Sequence, residues 1–513
     1  MESEIKRLAG KGKGLALAAA LLGWMFDGME MGVFSMVGRP AVKDLLHTTD
    51  ESEIGLWFGV ITAGFLVGAA TGGVLFGWLG DRIGRVRAMT LSVLTYSLFT
   101  GAGGLAAEAW QLGALRFVAA LGMGGEWSLG VALVMEIWPN RSRAFMAGLI
   151  GAAGNVGYML VGVIGLTFVA IQQALRDALA ALGLAQETIQ WLTANEGWRI
   201  VMMVCIVPAL LTFFIRLFVP ESGRWQVEKA RGTTSGWATR DLLGVVLGVL
   251  GPAAIIFLWA SDGPPGVQFT LPLRIGGTLL GLAVAAVGYT FPLVRYLQRQ
   301  STNGPEAERW QPVLGRMLLA ACLSGVALLG TWGSTQWAPA WADKLTGDPS
   351  RNAKEWTQIA LAIGAVIGTI AAALVGDRWG RRKTYALLCI ASLVSVLLLF
   401  QTNDHYGPAF VVSAVLAGGF TASFYGWLPL YLPELFATRF RATGQGFGYN
   451  FGRILAAVGA LQTGVLFKVD IHLGSLSLPA GHASACTIMG LIYVVGVFLI
   501  WLAPETRGKP LPE

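Results

Sequence analysis

The sequence predicts an all-α polytopic membrane protein: two pseudo-symmetric six-helix bundles plus an inserted central helix pair, about fourteen transmembrane helices in total. Three observations carry that prediction. Hydrophobic residues make up 54% of the 513-residue chain and charged residues only 13%, at a mean hydropathy of +0.60; soluble domains carry roughly a quarter charged residues. A water-soluble core cannot hide that much apolar surface, whereas a bilayer removes the need to hide it. Apolar runs of about 20 residues, the length that crosses the hydrocarbon, recur from end to end. Finally, the two halves repeat each other in order. Gly77-Trp78-Leu79-Gly80-Asp81-Arg82-Ile83-Gly84-Arg85 returns as Val375-Gly376-Asp377-Arg378-Trp379-Gly380-Arg381-Arg382-Lys383. Glu136 through Arg143 returns as Glu434 through Arg441, and Pro220-Glu221-Ser222 as Pro504-Glu505-Thr506. Parallel repeats in a membrane chain are a design for moving something across the bilayer at the interface between them.

The runs centre on residues 15–37, 55–79, 87–107, 110–136, 143–171 and 198–218, then 241–261 and 270–294, then 312–338, 357–376, 383–401, 407–430, 440–467 and 483–503. The first follows Lys6, Arg7, Lys11 and Lys13, but it is too long for a signal peptide and contains Asp27 and Glu30, so it reads as a spanning helix. The middle two have no echo in either half. They form the insert, and the expected organisation is 1–225 for the first bundle, 226–311 for the inserted hairpin and linkers, and 312–513 for the second bundle. Ala170–Gly197 has helical spacing and reads as one short external helix. The 69 glycines suit close helix packing in lipid. Cys205, Cys322, Cys389 and Cys486 lie inside apolar runs, so free buried thiols are expected.

Charge bias sets the orientation. Arg82, Arg85 and Arg87, Arg141 and Arg143, the basic residues flanking the insert, Arg378 through Lys383, and Arg439 and Arg441 fall in alternate loops, which places those loops and both termini in the cytoplasm. The expected location is the cell membrane, multi-pass, as a monomer. The net charge of +7 sits in these short clusters, a topology signal and not a nucleic-acid surface. His47, His405, His472 and His482 are not at metal-ligand spacing, no nucleophile–base motif is evident, and phosphate loops are absent. Neither an enzyme nor an ATP-driven pump is expected, and no cofactor.

Ionisable groups inside the apolar runs are costly and usually face a cavity or a partner. Asp27 and Glu30 share a helix face, and Arg116 enters the fourth run at comparable depth. An Asp27–Arg116 pair that separates and rejoins would load and release a proton; a permanent salt bridge locking helices is the other reading. Glu126 is either a second protonation site or a carboxyl tied to neighbouring backbone. Arg453 needs an anion, which is either a substrate carboxylate gripped by two hydrogen bonds or Glu126. Asn155/Tyr158 and Asn450/Arg453 occupy matching places in the repeats and are expected to border a central cavity, with Gln336, Trp337 and Tyr425 as further candidates. In the repeated loops, Asp81 and Asp377 can accept hydrogen bonds from a helix start or a nearby arginine. Arg85 and Arg381 can pair with Glu136 and Glu434, forming a cytoplasmic gate.

These loops, with Arg116-x5-Gly122-x-Gly124 and the Pro-Glu-Ser and Pro-Glu-Thr tails, resemble the major facilitator superfamily over nearly the whole chain. The tails resemble sugar porters. Trp24-Met25-Phe26-Asp27-Gly28, Gly124-Gly125-Glu126-Trp127, Phe447 through Arg453 and the inserted pair are more similar to the sialate/monocarboxylate:proton symporter group. That resemblance implies proton-driven uptake of a small organic anion, with Asp27 and Arg116 as the coupling pair and Arg453 in the anion site. Glu30 departs from the group's pattern, and the span from Trp332 to Trp341 lacks the paired glutamines of sugar porters, which argues against a hexose. A proton-coupled sugar or polyol symporter is the alternative, and a non-transporting nutrient sensor the third reading.

Overall fold

Hydrocarbon offers no partner to a backbone N–H, so apolar runs of this length settle as helices that satisfy themselves. The computed structural model describes residues 2–138, 142–208, 211, 215, 218–261, 269–301, 309–466, 470–473 and 476–512. Arg141 and part of the sixth expected span (209–210, 212–214, 216–217) lie outside the described residues.

The first half comprises α1 (Glu2–Leu46), α2 (Glu51–Ile83), α3 (Arg85–Gly103), α4 (Ala109–Ile137), α5 (Arg143–Leu166), α6 (Phe168–Ala181), α7 (Gln186–Thr193), α8 (Trp198–Val204) and α9 (Gly223–Ala230). The insert is α10 (Leu242–Ala260) and α11 (Leu271–Ser301). The second half comprises α12 (Trp310–Gly333), α13 (Ala338–Thr346), α14 (Ala353–Trp379), α15 (Arg381–Gln401), α16 (Pro408–Thr421), α17 (Phe424–Tyr431), α18 (Arg441–Asn450), α19 (Gly452–Leu466), α20 (His482–Gly490) and α21 (Ile492–Leu499). A short antiparallel hairpin, β1 (Ile471–Leu473) with β2 (Leu476–Leu478), interrupts the otherwise helical chain.

Three expectations are corrected. Among the described residues, eleven helices are long and apolar enough to cross a membrane, fewer than the fourteen expected. Helix α3 falls short because Thr90, Ser92, Thr95, Ser97 and Thr100 crowd its 19 residues, and the thirteenth run breaks at Phe451 into α18 and α19. The external segment is two helices, α6 and α7, and not one. All four cysteines are free, but Cys322 is exposed on the outer surface and not buried.

Small residues set how closely helices cross, as expected in lipid. A Cβ on Gly72 of α2 would fall 1.9 Å from the Leu121 carbonyl oxygen of α4, and one on Gly364 of α14 would fall 1.9 Å from the Val415 oxygen of α16. The halves meet along two seams, each with close glycine crossings. On one, α2 faces α18, where a Cβ on Gly77 would sit 2.6 Å from the Ala442 oxygen. On the other, α5 faces α14 and α17, where Gly151 lies against the Tyr425 carbonyl. The inserted pair leans on the first seam. Tyr289 of α11 bonds Thr71 of α2 at 2.7 Å and sets its ring edge on Phe451, centroids 6.4 Å apart.

Replacing Gly72 by Leu overpacks the α2–α4 crossing and is expected to destabilise by about 1–3 kcal/mol, read as a lower thermal midpoint of the purified protein. Gly55→Leu, on the same helix with nothing within 4 Å of its Cβ position, should leave the midpoint where it is. Equal midpoints for the two variants would contradict this packing.

Candidate functional site

Buried charge gathers in two places. The first is the end of the bundle that carries the repeated turns. Gly84 and Gly380 make those turns at φ of +116° and +99°, backbone where a Cβ is disfavoured, and each is followed at once by a helix-opening arginine. The Arg85 guanidinium donates to the Gly80 carbonyl at 2.8 Å and lies 2.8 Å from Asp81 and 3.2 Å from Glu136. Arg381 repeats this with Gly376 at 2.7 Å, Asp377 at 3.4 Å and Glu434 at 2.7 Å. Each glutamate is also reached from the opposite half: Arg441 lies 2.9 Å from Glu136, and Arg143 3.0 Å from Glu434. The Ser222 hydroxyl donates to Glu136, and that of Thr506 to Glu434. Sequence reasoning had treated Arg143 and Arg441 only as loop charge. Their signal was the identical spacing from Glu136 to Arg143 and from Glu434 to Arg441.

The two aspartates part company. Asp81 is buried and crosses the seam, accepting from the backbone N–H of Thr443 at 2.8 Å and of Ala442 at 3.3 Å and from the Thr443 hydroxyl at 2.7 Å. It thereby satisfies N–H groups that the first turn of α18 leaves open. Asp377 is half-exposed and bonds Arg381 on its own side. Glu221 and Glu505 cap the helices after the turns. Glu221 accepts from Arg85 N–H at 2.8 Å and Glu505 from Arg381 N–H at 3.0 Å. Burial pushes Glu221 above the ordinary carboxylate range despite its N–H donors. For the less enclosed Glu505, burial is outweighed by its backbone donors, which hold it below that range.

The second place is a cavity of ≈ 160 Å³ between the halves, about ten times what one water needs. Asp27, Asn155, Tyr158, Gln336, Tyr425 and Arg453 all line it. Sequence reasoning missed its aromatic walls: Trp24, Trp127, Trp332 and Tyr449. Trp127 and Tyr449 stack across the halves with centroids 3.7 Å apart. Their signal was position: Trp24 lies one turn before Asp27, Trp127 beside Glu126, and Tyr449 one turn before Arg453.

Two placements, those of Arg116 and Asn450, differ from those expected, and Arg453 keeps one of its two readings. Arg116 pairs not with Asp27 but with Glu30, at 3.2 Å. Glu30 also accepts from the Thr100 hydroxyl at 2.6 Å, and the Arg116 guanidinium is held between Phe34 and Phe65, 4.2 and 4.4 Å from the ring centroids. Such a cation is fixed by its surroundings. Arg453 has no carboxylate within ion-pair distance among the described residues; it rests against Tyr449, 5.5 Å from the ring centroid, with Nη1 buried and unpartnered. Asn450 does not border the cavity: its amide donates to Gly124 at 3.1 Å and Gly446 at 3.0 Å, packed into the α2 seam. Glu126 fills the space left by Gly23 on α1, where a Cβ would fall 1.6 Å from its Oε1. There its side chain meets that of Asp27. Both Glu126 oxygens and Asp27 Oδ1 are buried without a donor.

The family model for sugar (and other) transporters matches residues 15–240, 270–462 and 354–513, and the chain belongs to that family, part of the major facilitator superfamily. The cis,cis-muconate transport protein of Acinetobacter baylyi is 25% identical over 94% of this chain and 94% of its own length. The gentisate transporter of Corynebacterium glutamicum is 24% identical over 93% and 87%. The proton:xylose symporter XylE, solved with 6-bromo-6-deoxy-D-glucose, shares the fold at a TM-score of 0.65, with 18% identity over 98% of each chain. The protein is therefore a multi-pass membrane transporter of small molecules.

Breaking a buried ion pair by removing one partner typically costs about 3–5 kcal/mol. Arg441→Gln removes the cross-seam partner of Glu136 and leaves Arg85 in place. It is expected to speed backbone hydrogen exchange in 80–86 and 441–446, measured by mass spectrometry. Unchanged exchange in both segments would mean the pair does not hold the seam.

Proposed function

We propose that this transporter couples inward movement of a small organic anion to protons, by alternating access between residues 1–225 and 312–513. Arg453 carries the anion assignment. It is a permanent cation on a cavity wall, with a buried, unpartnered nitrogen and, among the described residues, no carboxylate within ion-pair reach. A substrate carboxylate would fill that place through a forked contact. The walls of Trp24, Trp127, Trp332, Tyr158 and Tyr425 favour a flat unsaturated or aromatic body beside the charge. Relatives named for muconate and gentisate carry acids of that kind.

The proton is assigned to the Asp27–Glu126 pair, two carboxyls that together hold one, and not to Asp27 with Arg116. The Glu30–Arg116 pair, with its aromatic clamp, serves as a fixed strut. The repeated turns form the cytoplasmic gate: Arg85, Asp81 and Glu136 with Arg441, and Arg381, Asp377 and Glu434 with Arg143.

In proteoliposomes, an inward proton gradient is expected to drive accumulation of labelled muconate or gentisate and not of xylose. Accumulation of xylose alone, or an equal drive from sodium, would overturn the reading. Arg453→Lys should cut acid uptake by roughly tenfold or more, the loss of a charge-assisted hydrogen bond worth about 1.5–3 kcal/mol. Full acid uptake in that variant would remove Arg453 from the substrate site. Asp27→Asn and Glu126→Gln should each abolish gradient-driven accumulation while keeping substrate counterflow. The double change Glu30→Gln with Arg116→Gln should keep both, and the reverse pattern would return coupling to Arg116.

A further inference from the structure

The inserted hairpin has an outer face that transport as proposed does not use. Helices α10 and α11 cross so tightly that a Cβ on Gly288 would lie 2.5 Å from the Gly244 oxygen and 2.5 Å from the Gly248 Cα. With no side chains at those positions, the surface between the helices sinks into a groove of ≈ 720 Å³. Its walls are Leu243, Leu247, Val287 and Phe291, exposed to 65%, 61%, 68% and 38%. The opposite face is occupied, since Tyr289 bonds Thr71 of α2. The groove therefore faces away from the bundle, toward the acyl chains of the bilayer.

One end of the groove is charged. Arg240 precedes α10 and Arg295 lies near the end of α11, so the antiparallel pair brings both to the same mouth. This is the end of the bundle where the repeated turns lie, for Arg82 of the first turn donates to Thr239 at 2.6 Å. Asp241 stands at the same mouth, but its carboxylate is taken by Arg299 at 3.2 Å. Among the described residues no carboxylate pairs with Arg240 or Arg295, and Arg295 donates to the neutral Gln298 at 3.2 Å. An apolar slot on the lipid-facing side of the hairpin that ends in two arginines without a carboxylate partner among the described residues matches one kind of molecule: an acyl chain with a negatively charged phosphate at its head.

We propose that this groove binds an anionic phospholipid, its phosphate between Arg240 and Arg295 and one acyl chain along Leu243, Leu247, Val287 and Phe291. The bound lipid fills the outer face of a hairpin whose inner face rests on the α2–α18 seam, and so it braces the insert against that seam.

Native mass spectrometry of the full chain in detergent, with phosphatidylglycerol or phosphatidylcholine added, tests this. The protein should retain phosphatidylglycerol roughly fivefold more than phosphatidylcholine, or better. Arg240→Gln with Arg295→Gln should erase that preference, and Val287→Trp, which fills the slot and leaves the arginines, should lower retention of phosphatidylglycerol. Equal retention of the two lipids by the unaltered protein, or an unchanged preference in the double variant, would overturn the proposal. Displacement by inorganic phosphate, or a dimer in place of the lipid adduct that Val287→Trp dissolves, would overturn it as well. All three positions are exposed, and the thermal midpoint checks that each variant is folded.

Discussion

The structure turns on burying seven charges (Asp81, Arg85, Glu136, Arg143, Arg381, Glu434 and Arg441) at one end of the bundle without leaving any of them alone. Glu136 is held by Arg85 of its own half and Arg441 of the other; Glu434 is held by Arg381 of its own half and Arg143 of the other. Burying an ion is expensive, and a pair repays that only with good geometry and further hydrogen bonds. Here the further bonds come from Ser222, Thr506 and the Gly80 and Gly376 carbonyls. On the proposed reading, the arrangement also explains why a seam of this kind could part. An apolar interface that opens exposes hydrocarbon side chains to water, at a cost proportional to area. A seam of charges exchanges carboxylates for hydration, so its open and closed forms lie closer in free energy. The same exchange within each half keeps Arg85 and Arg381 tied to their own glutamates, so the halves stay whole as they separate.

The middle of the bundle works on a different rule. Two arginines lie there at similar depth, yet their surroundings separate their roles. Arg116 has a carboxylate, a ring on each side and no access to the cavity wall. Arg453 has one ring, an unpartnered nitrogen and a place on that wall. On the proposed reading, an arriving carboxylate neutralises Arg453, and the Asp27–Glu126 pair then keeps its proton because two facing carboxylates repel. The loaded cavity carries no net charge beyond its empty form plus one acid and one proton. Coupling then follows from electrostatic balance, since anion and proton favour each other's presence in a site that excludes water.

Much of this was legible in the residues. The duplicated turns, the apolar runs and the isolated inserted pair were enough for the architecture, because period, length and repetition are properties of the chain itself. Asp27, Arg453, Asn155, Tyr158, Gln336 and Tyr425 were found because a polar side chain in an apolar run needs a reason. Partners were harder. Asp27 and Glu30 share a helix face and are three residues apart, so Arg116 could have met either; only the rotation of α1 against α4, set by Gly23 and the Glu126 side chain lying over it, decides the matter. Asn450 was misplaced because the repeat predicts equivalence, while its amide is drawn to the Gly124 and Gly446 carbonyls at the α2 seam. The aromatic walls were hidden for a plainer reason: in a membrane chain with 19 tryptophans, a ring facing a cavity is indistinguishable by composition from one facing lipid.

Duplication supplied two equal halves, but the two seams between them are no longer equal. On the α2–α18 seam, Asp81 crosses over to three donors at the start of α18, and the inserted hairpin spans both sides through Tyr289, Thr71 and Phe451. On the α5–α14–α17 seam, the matching aspartate, Asp377, stays half-exposed on its own side, and the crossing bonds are Arg143 to Glu434 at 3.0 Å and the Gln358 amide donating to the Tyr158 carbonyl at 2.8 Å, beside close glycine contacts. Both seams therefore carry directional bonds, and what sets the α2 seam apart is the Asp81 crossing together with the insert, which has no counterpart in either repeat and lays its bonds across that seam.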